Sequence, residues 1–159
     1  MWGNYEASLD VAELEPVTRK IATYGLQEYF IPEKRFNQFV IDMTKILNSI
    51  EIGTVNVSIR QSNRDNTTLM AWSQEGVFSF VVYYKQRLSG DAKKMIEWWT
   101  QQMIELSLKS GGTYYLPYQL QATQSQFERG YRNSSKLKKL RNEISAEKMT
   151  NTMWKKYGI

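Results

Sequence analysis

The chain has 159 residues, 42% of them hydrophobic, and carries 21 Lys and Arg against 16 Asp and Glu, a net charge of +5. This length suits one domain with a sizeable core, and no apolar run reaches the roughly 18 residues that a membrane span needs. The sequence contains neither Cys nor His, which excludes disulfides, thiolate nucleophiles, Ser-His-Asp triads and the common zinc sites.

The N-terminal third predicts a short lead-in followed by a strand and a helix. Residues 1–20 are acidic and poor in large apolar side chains, so we expect them to be a lead-in from a preceding domain and residues 21–159 to form the domain itself. The aromatic stretch 24–31 predicts a strand that ends at Pro32. Helical spacing then predicts an amphipathic helix with a stripe formed by Phe36, Phe39, Val40, Met43, Leu47 and Ile50.

The middle of the chain predicts strands and a second helix. Residues 55–62 alternate between apolar and polar, which is typical of a half-buried strand, and residues 68–73 and 77–86 are predicted to be further strands. Ser89 or Asp91 can cap a second helix, which the glycines 111–112 end. The stripe predicted for that helix consists of Met95, Trp99, Gln102, Met103 and Leu106.

After the second helix the sequence predicts an extended segment, 113–122, then short helical segments in 123–131 and 134–149, and a closing segment 151–159. The order strand-helix-strand-strand-helix-strand indicates an α+β fold of the split βαβ, ferredoxin-like type, with an antiparallel sheet, helices on one face and a helical tail. The tail from 129 to 159 carries nine basic and two acidic side chains. Such a tail can bind nucleic acid or anionic lipid, or be a solvated helix face; without a nucleic-acid motif, we predict no nucleic-acid partner.

The predicted sheet has one face for the helices and one polar face. The helices are expected to bury Val55, Val57, Ile59, Phe78, Phe80 and Val82, and the opposite face is expected to present Asn56, Ser58, Arg60, Ser79, Tyr83 and Lys85. Hydrogen-bond donors, cations and aromatic surface suit a polyhydroxylated or anionic ligand, although an antiparallel sheet with one solvated side is also common. The segment GGTYYLPYQ (111–119), with three tyrosines around Leu-Pro, favours a ligand pocket.

Several segments resemble one family of flavoenzymes. GGTYYLPYQLQATQSQF and NTMWKKY, together with YEASLDVAELEP, LQEYFIP, VNVSIR and FSFVVYYKQ, resemble the C-terminal part of FAD-linked oxidoreductases of the vanillyl-alcohol oxidase type. Within that family the chain is most similar to the aldonolactone and alditol oxidases, a branch that includes the D-arabinono-1,4-lactone oxidases. The resemblance covers nearly all of this chain but only the last third of a typical member.

The resemblance implies a substrate-binding or cap domain without the FAD-binding domain. Family members carry a glycine-rich segment that contacts the FAD pyrophosphate and often a His linked to the flavin, and this sequence has neither. We therefore expect the isolated chain to be inactive and to work beside an FAD-binding domain of the same or a separate chain. The implied substrate is a small polyol, sugar acid or lactone, and the implied location is cytoplasmic, with peripheral membrane contact as an option.

The resemblance also implies roles for individual residues. Arg60 lies where alditol oxidases have a substrate-contacting Arg, Ser58 replaces their acidic partner, and Lys85 matches a lysine at the end of the equivalent strand, two residues after Tyr83. The other implied positions, expected to contact substrate and, for the two tyrosines, the flavin, are Tyr115, Tyr118 and Gln119. No residue of this chain alone is expected to be catalytic. The alternative is a non-catalytic binding module derived from such a cap.

Overall fold

The computed structural model describes residues 21–49, 53–146 and 148–159 of the chain. The predicted lead-in, residues 1–20, therefore lies outside the described residues. The strands are β1 (Ala22–Pro32), β2 (Gly53–Ser62), β3 (Val77–Arg87) and β4 (Thr113–Tyr114), and a short 3-10 turn covers Glu33–Arg35. The helices are α1 (Phe36–Asn48), α2 (Gly90–Lys109), α3 (Gln124–Gly130), α4 (Ser134–Glu143) and α5 (Thr152–Tyr157).

The four strands form one antiparallel sheet in the order β2-β3-β1-β4. This order is the one that two interleaved βαβ units produce, because each helix carries the chain across a strand of the other unit. The α+β class and the ferredoxin-like strand order expected from the sequence are therefore confirmed. Among the described residues no helix is long and apolar enough to cross a bilayer.

The core lies between one face of the sheet and the helices. Side chains alternate across a strand, so Tyr29 of β1 and its partner Phe80 of β3 point to the same side, where both are fully buried. Phe39 of α1 and Trp99 of α2 are buried against this side. The α2 helix begins as predicted, because the Ser89 side chain accepts a hydrogen bond from the Ala92 N–H.

Two predicted extended segments are wrong. Residues 68–73 form no strand but part of an irregular segment from 63 to 76, in which Met70 packs against the core and Trp72 lies on Phe30. Of the segment 113–122, only Thr113 and Tyr114 pair with β1. In both segments apolar side chains find tertiary partners without continuous strand pairing, so a strand-like composition was a misleading signal of strand structure.

The predicted burial fails at the edge strand and on α2. Val55 lies at a register shift of β2 and Ile59 on its helix side, yet they are 38% and 46% exposed because β2 is at the edge of the described sheet. On α2, Met95 and Gln102 are exposed, whereas the buried side chains include Ile96, Trp99 and Met103. The buried stripe of α2 thus shares Trp99 and Met103 with the predicted stripe, but Ile96 takes the place of Met95.

The C-terminal helices pack beside the core. Phe127 of α3 stacks on Tyr157 of α5 with ring centroids 4.2 Å apart, and the Arg141 guanidinium lies 3.3 Å from the centroid of the Trp154 ring. The α4 helix ends at Glu143, earlier than the predicted 149, and Ser145 two residues later has a left-handed φ of 53°. Most of the basic side chains on the described part of the tail are in contact with solvent, as a solvated helix face requires; on α4 these are Lys136, Lys138 and Lys139.

Candidate functional site

The side of the sheet opposite α1 and α2 is called here the open face. On β3 it carries Val77, Ser79, Val81, Tyr83 and Lys85, because these alternate with the partly buried Phe78 and the buried Phe80 and Val82 of the core side. The register places Arg60 of β2 and Phe30 of β1 on either side of Ser79, and Ser58 and Glu28 on either side of Val81. The predicted face therefore carries side chains from three neighbouring strands, but it is only partly polar and exposed. Ser58, Arg60 and Lys85 are exposed, whereas Ser79, which was expected to be presented there, is buried together with Val77 and Val81.

At the centre of the open face lies a carboxylate held by a hydroxyl. The Ser79 hydroxyl donates a hydrogen bond to the Glu28 carboxylate. Ser79 is buried, whereas Glu28 is half-buried. The hydrogen bond therefore holds the Glu28 carboxylate from the buried side, and the carboxylate oxygens can still accept hydrogen bonds from a ligand.

Two tyrosines stand over the same region. The Tyr115 N–H donates to the Glu28 carbonyl at 2.8 Å, which continues the edge of the sheet beyond β4. The Tyr115 and Tyr118 rings meet edge to face with centroids 4.6 Å apart. The turn around Pro117 therefore folds the second phenol back over the first, and Tyr118 stays 39% exposed.

The electrostatics of Tyr118 show which charges lie close to it. Partial burial raises the pKa of the Tyr118 phenol above its usual value, and the negative charge of Glu28 raises it further, while Arg60 lowers it. One phenol, one carboxylate and one guanidinium thus act on each other across β1, β2 and the 115–118 turn. We call Glu28, Arg60, Ser79, Tyr115 and Tyr118 the open-face cluster.

The structure brings some of the sequence-predicted residues together and separates others. Arg60, Tyr115 and Tyr118 belong to the open-face cluster, and Ser58 lies one row away, exposed. Lys85 is on the same face but six residues beyond Ser79 along β3, about 20 Å at the usual strand rise. Tyr83 stacks on Tyr24 with ring centroids 5.2 Å apart and lies between the row of Glu28 and Lys85 along β3.

Gln119 lies away from the open-face cluster. Its side-chain oxygen accepts a hydrogen bond from Gln121 at 2.9 Å, and Gln121 in turn accepts one from Gln27 at 3.3 Å. Gln27 is a buried residue of β1, next to Glu28 and therefore on the helix side of the sheet. The Gln119 amide is thus held by a chain of amides that leads into the core.

Sequence reasoning missed Glu28 as a site residue. Its position in the pattern of β1 contained a usable signal: Tyr24, Leu26, Glu28 and Phe30 alternate with the core residues, which puts a carboxylate on the predicted ligand face. What the pattern did not contain is the β1–β3 register, which sets Glu28 beside the row of Ser79 and Arg60.

The cluster combines complementary chemistries within one surface. A carboxylate accepts hydrogen bonds from hydroxyls, a guanidinium donates to carbonyl, hydroxyl or anionic oxygens, and the two phenols do both beside apolar ring surface. This combination is suited to a compact ligand with several hydroxyl groups.

No protein-family model and no curated protein sequence matches this chain.

Proposed function

We propose that this chain is the substrate-binding cap portion of an FAD-dependent oxidoreductase that acts on CH–OH groups of sugars, sugar acids or lactones. The observation that carries the proposal is the open-face cluster, where Glu28, Arg60 and the Tyr115–Tyr118 pair lie together on a sheet face that α1 and α2 leave uncovered. The resemblance of the sequence to the cap of aldonolactone and alditol oxidases supports the same function.

The residues present fit one side of a flavin ring and a small substrate, but not a whole FAD molecule. Tyr115 and Tyr118 offer ring edges and phenol groups for the isoalloxazine edge, and no glycine-rich segment is present for the pyrophosphate. The FAD-binding domain of the same or a separate chain would therefore hold the cofactor. When bound, FAD supplies the acceptor for the hydride that leaves the carbinol carbon.

The chain's own contribution would be binding, orientation and exclusion of water. Arg60 would donate to the lactone carbonyl or to the oxygen of the reacting carbinol, and Glu28 would accept a hydrogen bond from a neighbouring hydroxyl. Ser79 would hold the Glu28 carboxylate at the angle needed for that contact. The isolated chain would bind such a ligand without oxidising it.

The test is a ligand titration of the isotopically labelled chain, with D-arabinono-1,4-lactone and xylitol as probes and amide NMR shifts as the readout. We expect saturable shifts at residues 28, 58–60, 79 and 115–118. Arg60→Gln should weaken binding about tenfold, as the loss of a charge-assisted hydrogen bond does. Arg87→Gln is the matched control, because Arg87 lies on the same face at the far end of β3. Equal weakening in both variants, or no saturable shift with either probe, would reject the proposal.

The second candidate function is a non-catalytic binding module derived from such a cap, and the exposure of Ser58 and Arg60 on the open face also supports it. The size and the flavin content of the protein in its source cells distinguish the cap of an oxidoreductase from the binding module. We expect the chain, probed by antibody in an extract of its source cells, to migrate with flavin fluorescence at a mass well above 18.7 kDa. A flavin-free species at 18.7 kDa that still binds the lactone would favour the module.

A further inference from the structure

A concave site apart from the open-face cluster lies at the end of the sheet, between residues 72–77 and the C-terminal end of α2. It is a cleft of about 120 Å³, called here the end cleft. Its apolar wall includes Phe30, Trp72 and Val77, and the backbone of residues 111–113 closes one end. The charged side chains that line it are Lys109, Arg129, Arg132 and Glu75.

The walls of the end cleft are held by specific contacts. Trp72 lies on Phe30 with ring centroids 4.4 Å apart, and the Thr113 hydroxyl donates to the Trp72 carbonyl at 2.5 Å. The Asn133 side chain donates to the Leu69 carbonyl at 3.0 Å, which joins the irregular segment to the start of α4. The cleft therefore has a defined shape before any ligand binds.

The charges around the end cleft leave a positive excess inside it. Arg129 pairs with Glu105 and Lys109 lies 3.9 Å from the same carboxylate, so one acidic group outside the lining serves two cations. Glu75, the acidic lining residue, pairs with Lys34 at 3.0 Å. Within the described ranges Arg132 forms no ion pair, so its guanidinium has its donors available.

We propose that the end cleft binds a small oxyanion, the phosphate group of a small phosphate ester. Three cations line a space of about 120 Å³, two of them share the Glu105 carboxylate, and this excess of positive charge suits a compact, doubly charged group. A space of this size is smaller than the roughly 300–1,000 Å³ of pockets that enclose a drug-sized ligand, so the rest of the ester lies outside, over Trp72.

Phe30 separates the end cleft from the open-face cluster, since its ring meets Trp72 on one side and Tyr115 at 6.4 Å on the other.

Inorganic phosphate is the probe that tests the end cleft, with the indole N–H signal of Trp72 as the readout, assigned through Trp72→Phe. We expect a saturable shift of that signal at constant ionic strength. Arg132→Gln should raise the dissociation constant about tenfold, whereas Arg87→Gln, an equal loss of charge at the far end of β3, should leave it unchanged. Both arginines are exposed, so both variants should fold.

Three outcomes would overturn the proposal. The first is the absence of a saturable shift, and the second is an equal weakening by Arg132→Gln and Arg87→Gln. The third is an equal shift with sodium chloride at the same ionic strength, which would reduce the effect to general screening. The proposal stands apart from the lactone site, and we expect no competition between phosphate and D-arabinono-1,4-lactone; competition would place phosphate on the open face instead.

Discussion

The Ser79 hydroxyl holds the Glu28 carboxylate across the boundary between β3 and β1. The two residues are 51 positions apart in the chain, and Ser79 is 2% exposed. A hydroxyl buried at this position has the carboxylate as its hydrogen-bond partner. The bond therefore contributes both to the stability of the sheet and to the orientation of the open-face cluster.

Ser79→Ala should lower the free energy of unfolding by about 1–2 kcal/mol, because a hydrogen bond to a charged group is lost in a half-buried place. Urea denaturation measures the change. Ser58→Ala is the control: Ser58 lies on the same face but is exposed, and its substitution should stay within about 0.5 kcal/mol of the wild type. Equal effects of the two substitutions would mean that the Ser79–Glu28 bond contributes nothing to stability.

Gly112→Ala should destabilise the fold by about 3 kcal/mol or more, as severe overpacking does. A Cβ at position 112 would lie 2.0 Å from the Phe30 carbonyl oxygen, so β1 and β4 would have to separate. Gly90→Ala is the matched control, since a Cβ there meets nothing within 4 Å and alanine favours the first turn of α2. Thermal unfolding should show a large drop in Tm for the first variant and an unchanged or higher Tm for the second. A similar Tm for both would show that the approach of Gly112 to Phe30 is looser than described.

Tyr131→Phe should destabilise the fold and Tyr114→Phe should not, although each removes one buried hydroxyl. The Tyr131 hydroxyl donates to the Tyr114 carbonyl, so its loss should cost about 1–2 kcal/mol. The Tyr114 hydroxyl is buried without a hydrogen-bond partner among the described residues, so its removal should be neutral or stabilising. The two rings also pack against each other at 5.6 Å, and phenylalanine preserves that contact. A cost at Tyr114 equal to that at Tyr131 would reveal a partner for its hydroxyl.

The Asp65 carboxylate should titrate at an unusually low pH. Hydrogen bonds from the Thr68 hydroxyl and from the Thr67 and Thr68 N–H groups lower the pKa of Asp65 to about 2. Because the folded pKa lies below the ordinary value of 3.8, the stability that Asp65 gives to the irregular segment is complete above about pH 4. It is lost as the pH falls through 2. Carboxyl carbon NMR, with Asp65→Asn for assignment, should give a midpoint near 2; a midpoint near 3.8 would mean that these bonds do not form in solution.

Local sequence signals predicted the regular elements and failed where the chain depends on long-range contacts. The alternation of β3, the helical spacing of α1 from Phe36 to Leu47 and the Ser89 cap are properties of neighbouring residues, and all three predictions are confirmed, whereas Ile50 of the predicted α1 stripe lies outside the described residues. Residues 68–73 have strand-like composition, yet Trp72 is fixed by Phe30, a residue 42 positions earlier. No local pattern contains that partner, so the segment could not be separated from a strand.

The candidate site was predictable to a similar extent. Alternation in β2 placed Ser58 and Arg60 on one face, and the density of tyrosines pointed to residues 114–118. The separation of Lys85 from Arg60 follows from strand register and length, which the sequence does not specify directly. The involvement of Glu28 likewise depends on which strand pairs with β3, a tertiary choice.

Glu28 divides its two roles between two parts of the same residue. Its main-chain carbonyl anchors the turn that carries the tyrosines, through the Tyr115 N–H, while its half-buried side chain lies on the open face and accepts the hydrogen bond from Ser79. Any amino acid that tolerates a strand keeps the anchor, whatever it presents on the surface. Ligand preference at this position can therefore drift by single substitutions while the scaffold stays the same, as is true of the exposed Ser58 and Arg60 on β2. The open face is accordingly a surface on which new specificities can arise without a new fold.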